Sequence, residues 1–362
     1  MRVLSLQQIY YITKPFVPDP LLLQLRRWRA RLLERWHRHD WPACPGTEKK
    51  PHGWCGWPHA KRFALVLTHD VEGPKGLERC REMLELERSC GFRSGVFFVA
   101  ERYALSDSWR DWIAEMGCEV GVHGLRHDGM LYRSRAEFQK RAIRIRRYLA
   151  NWKSVGFRSP SMHHRPDWLH ELGLQYDCST FDVDPFQPQP DGVKTIFPFW
   201  VSGHEEDEGY VELPYTLPQD FTLFIELRQK GIDVWKRKLD WIAQNKGIAL
   251  LITHPDYMDF GDRPHSRRTY PARYYTEFLE YIETRYAGQY WHVLPREMAS
   301  FWRQTRRMHA RAEVNSGEAL DVPSGSQAVI TGTSVSRGRF NPGSPTAGTG
   351  ADGLLEPRPR TL

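Results

Sequence analysis

Residues 63–73 read FALVLTHDVEG. An apolar run, Phe63 to Leu67, passes without a polar break into Thr68, His69, Asp70 and, beyond Val71, Glu72. A short continuous run of this kind predicts a strand buried on both faces, and its C-terminal end would present titratable groups. Similar β-rich runs recur down the chain at 94–100 (SGVFFVA), 118–124 (CEVGVHG), 154–159 (SVGFRS), 174–179 (LQYDCS), 210–215 (YVELPY), 248–254 (IALLITH) and 290–294 (YWHVL). Helical patterns fill the intervals at 77–90, 107–116, 134–150, 166–172, 232–245 and 271–286, and Gly91, Gly117, Gly173 and Gly247 stand where left-handed helix ends are expected. Strand–helix alternation means a parallel sheet. About seven or eight such units predict an α/β fold of the distorted (β/α) barrel type, with a doubly wound open sheet as the alternative.

Around this region the chain has two further parts. Residues 1–60 form an N-terminal helical extension, with a helix expected over 19–38 from Asp19 as cap and Pro20 at the first turn. Leu21, Leu25, Trp28, Leu32 and Trp36 share one face of it, surrounded by Arg26, Arg27, Arg29, Arg31, Arg35 and Arg38. The preferred reading docks that apolar face on the barrel; the other lays the helix on an anionic membrane surface. From 313 to 362 the composition turns to Gly, Ser, Thr and Pro without amphipathic period, which predicts a disordered tail.

The formal charge of +7 on 362 residues is modest. No basic run interleaved with aromatics marks a nucleic-acid module, so no nucleic-acid partner is expected. Six scattered cysteines, none in a CxxC pair, read as buried thiols of a reducing compartment, with Cys44–Cys55 left as a conceivable disulfide. The first residues, MRVLSLQQIYYITKPF, lack the apolar core and cleavage site of a secretory leader. The expected location is therefore cytoplasmic, with peripheral contact at the inner face of the membrane as an extension of it.

Chemistry gathers at the strand ends. The first strand delivers Asp70 and Glu72, the third His123 and His127, the fourth Arg158, and the seventh His254. In a parallel barrel these ends share the face on which active sites lie. Two histidines four residues apart, with a carboxylate, can hold one cation and leave a position open for water. A second carboxylate can accept that water's proton, and a further histidine can protonate a leaving amine.

The segments LVLTHDVEG, GVHGLRH, FRSP and LLITHP, taken in order, resemble the motifs of the NodB-like polysaccharide deacetylases, carbohydrate esterase family 4. The resemblance spans about residues 60–300 and assigns 61–305 to a deacetylase barrel. It implies that Asp70 is the catalytic base, His123 and His127 are metal ligands, Arg158 orients the base and His254 is the general acid. The cofactor implied is a divalent metal ion, zinc being the expected one. The implied partner is an N-acetylated amino-sugar glycan or glycan precursor of polysaccharide biosynthesis. Three departures stand out. Two adjacent aspartates of the common pattern become Asp70-Val71-Glu72, which makes Glu72 the metal ligand. Arg-x-Pro-x-Gly becomes Arg158-Ser159-Pro160-Ser161-Met162. YDCSTFDVDPF replaces the usual Asp-Trp motif, so that Asp182 and Asp184 both stand as partners for Arg158.

Two other function classes fit parts of this pattern. A degenerate barrel that only binds glycan or a protein partner would account for Val71 and Met162. A different amide hydrolase, acting on a cyclic amide or on peptidoglycan, would use the same metal site. A two-histidine, one-carboxylate iron oxygenase shares the ligand types but goes with a double-sheet fold, not βα units.

Overall fold

The computed structural model describes residues 18–203, 208–261 and 266–316. In chain order these form α1 (Asp19–Trp36), β1 (Phe63–Val71), α2 (Pro74–Ser89), β2 (Gly95–Phe98), α3 (Asp107–Glu115), β3 (Glu119–Val122), α4 (Arg135–Asn151), β4 (Gly156–Phe157), α5 (Pro166–Leu169), β5 (Tyr176–Asp177), β6 (Phe199–Ser202) and β7 (Gly209–Glu212). After a π-helical turn at Phe221–Glu226 come α6 (Asp233–Asn245), β8 (Ile248–Thr253), β9 (Met258–Asp259), β10 (Tyr270–Pro271), α7 (Arg273–Tyr286), β11 (Tyr290–His292) and α8 (Pro295–Ser316).

The main sheet is a distorted (β/α) barrel wall. Strands β1 to β5 and β7 follow one another in parallel, and β1 also pairs in parallel with β8 and, at its start, with β11. One strand that the sequence reading lacked, β6, lies antiparallel on β7. Between β7 and β8 there is no ladder. Instead the amides of Thr216 and Leu217 both donate to the Leu250 carbonyl at 3.1 Å, and the Ile248 amide donates to Ile196 O at 2.9 Å. Irregular backbone thus satisfies polar groups that a regular strand would have paired.

All nine residues of β1 are buried, as the unbroken apolar run requires. The period of two divides them. Phe63, Leu65, Leu67 and Val71 pack outward in the larger core cluster beneath the helices, while Ala64 and Val66 pack inside the barrel. β8 divides alike, with Ala249 and Leu251 outward and Ile248, Leu250 and Ile252 inward. Inward positions lower in the barrel are partly given up to glycine. A Cβ on Gly121 would lie 2.3 Å from the Phe97 ring, and one on Gly156 would lie 1.9 Å from the Tyr176 ring.

Several expectations are corrected. α1 begins at Asp19 with Pro18 in the cap position, and no side chain caps it. Gly91, Gly117 and Gly173 do take positive φ, but after α6 the left-handed residue is Lys246. Gly247 is instead a close approach, where a Cβ would stand 2.4 Å from the Ile196 side chain. α8 continues through Ser316, so residues 313–316 are helical; the remainder of the expected tail, and the N-terminal stretch 1–17, lie outside the described residues. All six cysteines are thiols, with Cys80, Cys118 and Cys178 buried, Cys44 and Cys90 half-buried, and Cys55 exposed.

The orientation of α1 is a further correction. Leu23 and Ala30 are its buried residues, and Leu33 packs against the core. Of the face expected to dock, Leu21, Leu25, Trp28 and Trp36 are exposed and Leu32 is half-buried. Polar anchors explain the choice. Arg27 donates to the carbonyls of Ile225 (2.9 Å) and Arg267 (2.8 Å), and Arg29 donates to those of Phe186 (2.8 Å) and Gln187 (3.2 Å).

Candidate active site

The alternation that places Ala64 and Val66 inside β1 carries on to Thr68, Asp70 and Glu72, whose side chains meet inside the barrel mouth. His69 points the other way, into the core, where Nδ1 lies 2.7 Å from Thr253 Oγ1 and Nε2 lies 2.7 Å from Glu87 Oε1. Acids two apart on one strand therefore share a face. By the same phase His254 follows Ile252 inward from β8, His123 follows Gly121 from β3, and Arg158 follows Gly156 from β4. Six of the residues singled out in the sequence, Asp70, Glu72, His123, His127, Arg158 and His254, come together here.

Asp70 is buried and anchored. Arg158 donates from Nη1 to Asp70 Oδ1 at 2.8 Å, from Nη2 to Thr68 Oγ1 at 3.0 Å and from Nε to the Cys178 carbonyl at 3.0 Å. Its guanidinium lies 4.4 Å from the centre of the Phe97 ring. The other carboxylate oxygen, Oδ2, lies 3.8 Å from His123 Nε2 and 3.9 Å from His254 Nε2. Burial would raise the Asp70 pKa, but Arg158 and the two histidines outweigh it and hold the carboxyl below its ordinary value. Neither Asp182 nor Asp184 holds Arg158. Asp182 accepts from Lys238, and Asp184 accepts from Tyr215 and the Phe186 amide.

Glu72, His123 and His127 each offer a ligand atom, and these atoms lie within 4.8 Å of one another. His127 Nε2 is shielded from solvent and stands 3.0 Å from Glu72 Oε1 without a well-aligned hydrogen bond. His123 Nδ1 lies 3.1 Å from the Arg158 carbonyl, which leaves Nε2 to face the carboxylates. Two imidazoles and a carboxylate oriented in this way fit a divalent cation with an open position. Glu72 Oε2 accepts from Tyr257 at 2.7 Å. Burial raises the Glu72 pKa, yet His127 and Tyr257 hold it well below the usual carboxylate range. His123, desolvated by burial, is lowered to about 4; in His127 the neighbouring Glu72 outweighs burial and raises the pKa. His127 itself has a positive φ of 54°, a strained backbone for a non-glycine residue and one that turns its ring toward Glu72.

His254 is braced from behind. Its Nδ1 lies 2.7 Å from Asp220 Oδ1 and its backbone N–H donates to Asp220 Oδ2 at 2.8 Å, while Tyr270 donates to Oδ2 at 2.9 Å. Burial lowers the His254 pKa, but Asp220, then Glu72 and Asp70, reverse this and push it up to about 10. Asp220, Tyr257 and Tyr270 were missed in the sequence, because none belongs to a local pattern. Asp256 could have been noticed in the run His254-Pro255-Asp256; it accepts from the Glu72 amide at 2.8 Å. A cavity of about 800 Å³ opens beside Glu72, lined in part by Lys75, Arg79, Arg102, Asp256 and Tyr257.

Met162, where the resemblance implies glycine, keeps a positive φ of 53° and is buried. This left-handed backbone costs a non-glycine residue about 1 kcal/mol or more.

No family model and no curated protein sequence matches the chain. Solved structures do. A protein of Mycobacterium smegmatis assigned as a polysaccharide deacetylase superposes with a TM-score of 0.55 at 18% identity, over 71% of this chain and 96% of its own. PuuE allantoinase gives 0.51 at 18% identity, over 69% and 93%. A second assigned polysaccharide deacetylase, from Pseudomonas aeruginosa PAO1, gives 0.50 at 15% identity, over 68% and 93%. The chain therefore has the barrel fold of these proteins.

Proposed function

We propose that the protein is a metal-dependent hydrolase that removes N-acetyl groups from an amino-sugar glycan or glycan precursor in polysaccharide biosynthesis. One observation carries the reading: the three-ligand set of Glu72, His123 and His127 adjoins an Arg158-anchored carboxylate and an Asp220-braced histidine, at one barrel mouth. The motif resemblance and two neighbours assigned as polysaccharide deacetylases support it.

A divalent ion at Glu72, His123 and His127, with zinc the one proposed, would lower the pKa of a water and polarise the amide carbonyl under attack. Asp70, with Oδ1 fixed by Arg158, accepts the proton of the attacking water at Oδ2. His254, protonated across the neutral range, donates from Nε2 to the departing nitrogen, while Asp220 holds its Nδ1. The C–N bond breaks, and acetic acid and the free amine leave; Asp70 has gained one proton and His254 has lost one, and passage of that proton from Asp70 to His254 through solvent restores both.

Purified full-length protein loaded with zinc should release acetate from N-acetylglucosamine oligomers, and Asp70→Asn should lower the rate by about a hundredfold or more. Equal rates for both proteins would overturn the reading. The allantoinase neighbour favours a second reading, hydrolysis of a cyclic amide at the same site. Consumption of allantoin without acetate release from any N-acetylated sugar would select it.

A further inference from the structure

Among the described residues, Leu21, Leu25, Trp28, Trp36, Ile143 and Met308 are the exposed large hydrophobic side chains. Four of these six belong to α1, at 49%, 51%, 64% and 75% exposure respectively. Their spacing of four, three and eight places them on one side of the helix. Leu23 and Ala30 occupy the opposite side and are buried.

The helix cannot easily roll to hide this stripe. Arg27 and Arg29 tie it to four backbone carbonyls, Gln229 donates to Glu34 at 3.2 Å, and Asp19 pairs with Arg268 at 3.0 Å. Rotation would break these bonds and strip buried Leu23 and Ala30 from their packing. Exposed Arg31 and Arg35 border the stripe on one side. The only acids of the helix, Asp19 and Glu34, are already engaged away from it.

We infer that α1 is a membrane-docking surface, on which Leu21, Leu25, Trp28 and Trp36 enter the interface of an anionic lipid bilayer while Arg31 and Arg35 meet the headgroups. Tryptophan suits that depth, having an apolar body and a polar N–H, and arginine stems run along the apolar layer with the charge at the surface. Charge complementarity selects the bilayer over a second copy of the chain. Packing two such stripes together would set arginine borders against helices that offer no free acid in return. On its protein-facing side the helix adjoins the site: Arg26 of α1 lies over Phe221, which packs on Tyr257, the donor to Glu72.

The test is co-sedimentation of the full-length protein with vesicles of phosphatidylcholine alone, and of phosphatidylcholine with phosphatidylglycerol in about equal parts. The wild type should sediment with the anionic vesicles and be released by salt. Leu25→Ser with Trp28→Ser, and separately Arg31→Glu with Arg35→Glu, should each lower partition by about tenfold or more. All four side chains are exposed, so circular dichroism should report an unchanged fold. Absence of wild-type binding, or equal binding by both variants, would overturn the proposal. So would a dimer abolished by the Leu25/Trp28 variant without vesicle binding. Bound metal and acetate release in free solution are separate readouts, so failure here leaves the hydrolase reading untouched.

Discussion

Asp220 Oδ1 lies 2.7 Å from Nδ1 of His254, a residue 34 positions further along the chain, and the same carboxylate receives the His254 amide. This buried pair fixes both the direction of the imidazole and its charge. His254 is pushed up to about 10, so the proton that a leaving amine needs is in place at neutral pH.

Asp220→Asn keeps the shape and removes the charge. Burial is then opposed only by the more weakly acting Glu72 and Asp70, and the His254 pKa falls. The basic limb of the pH–rate profile should move down from about 10, and the rate at neutral pH should drop about tenfold to a hundredfold. An unmoved basic limb would remove His254 from the acid role.

The same shift has a consequence for stability. A histidine with a folded pKa above its unfolded value stabilises the fold fully below the unfolded pKa of about 6.5, and the contribution is lost as pH rises through about 10. Urea denaturation across that window should show wild-type stability declining with pH, with a shallower decline in His254→Gln.

Arg158 is fully buried, and each of its three guanidinium nitrogens donates to a different acceptor. Arg158→Lys cannot reproduce the fork. The Asp70 pKa should rise, which moves the acidic limb of the rate profile upward, and kcat should fall by about a hundredfold. Arg158→Ala leaves Asp70 buried without its partner and should cost about 3–5 kcal/mol of stability, read by denaturant titration.

Tyr257 donates to the Oε2 oxygen of Glu72 at 2.7 Å, so Tyr257→Phe tests that ligand indirectly. Zinc affinity should fall about tenfold to a hundredfold. In wild type and variant alike, affinity should weaken as pH falls through the raised pKa of His127, because the ring must lose its proton to bind an ion. Competition with a chromogenic chelator at several pH values measures both effects.

The barrel interior makes a simpler prediction. Gly121→Ala and Gly156→Ala each press a methyl into an aromatic ring and should destabilise by about 1–3 kcal/mol. Thermal unfolding reads this directly.

What could be read from the sequence follows periodicity. β1 announces itself because a strand buried on both faces needs an unbroken apolar run, and Asp70 and Glu72 follow in its inward phase. His123, Arg158 and His254 follow their strands in the same way. Asp220 gives no such sign, since its meaning depends on the fold bringing it against β8. β6 was hidden because Phe199–Ser202 is only partly buried and carries no clear alternation. The stripe of α1 was visible, but its direction was not. Periodicity locates an apolar face, whereas Arg27 and Arg29 binding distant carbonyls decided which side faces the barrel.

The central claim is the cation site formed by Glu72, His123 and His127. Elemental analysis of the purified wild type beside His123→Ala tests it with no assumption about substrate. The account predicts about one zinc or similar divalent ion per wild-type chain, lost in the variant. A wild type that holds no metal even after reconstitution, or a variant that holds as much as the wild type, would contradict it.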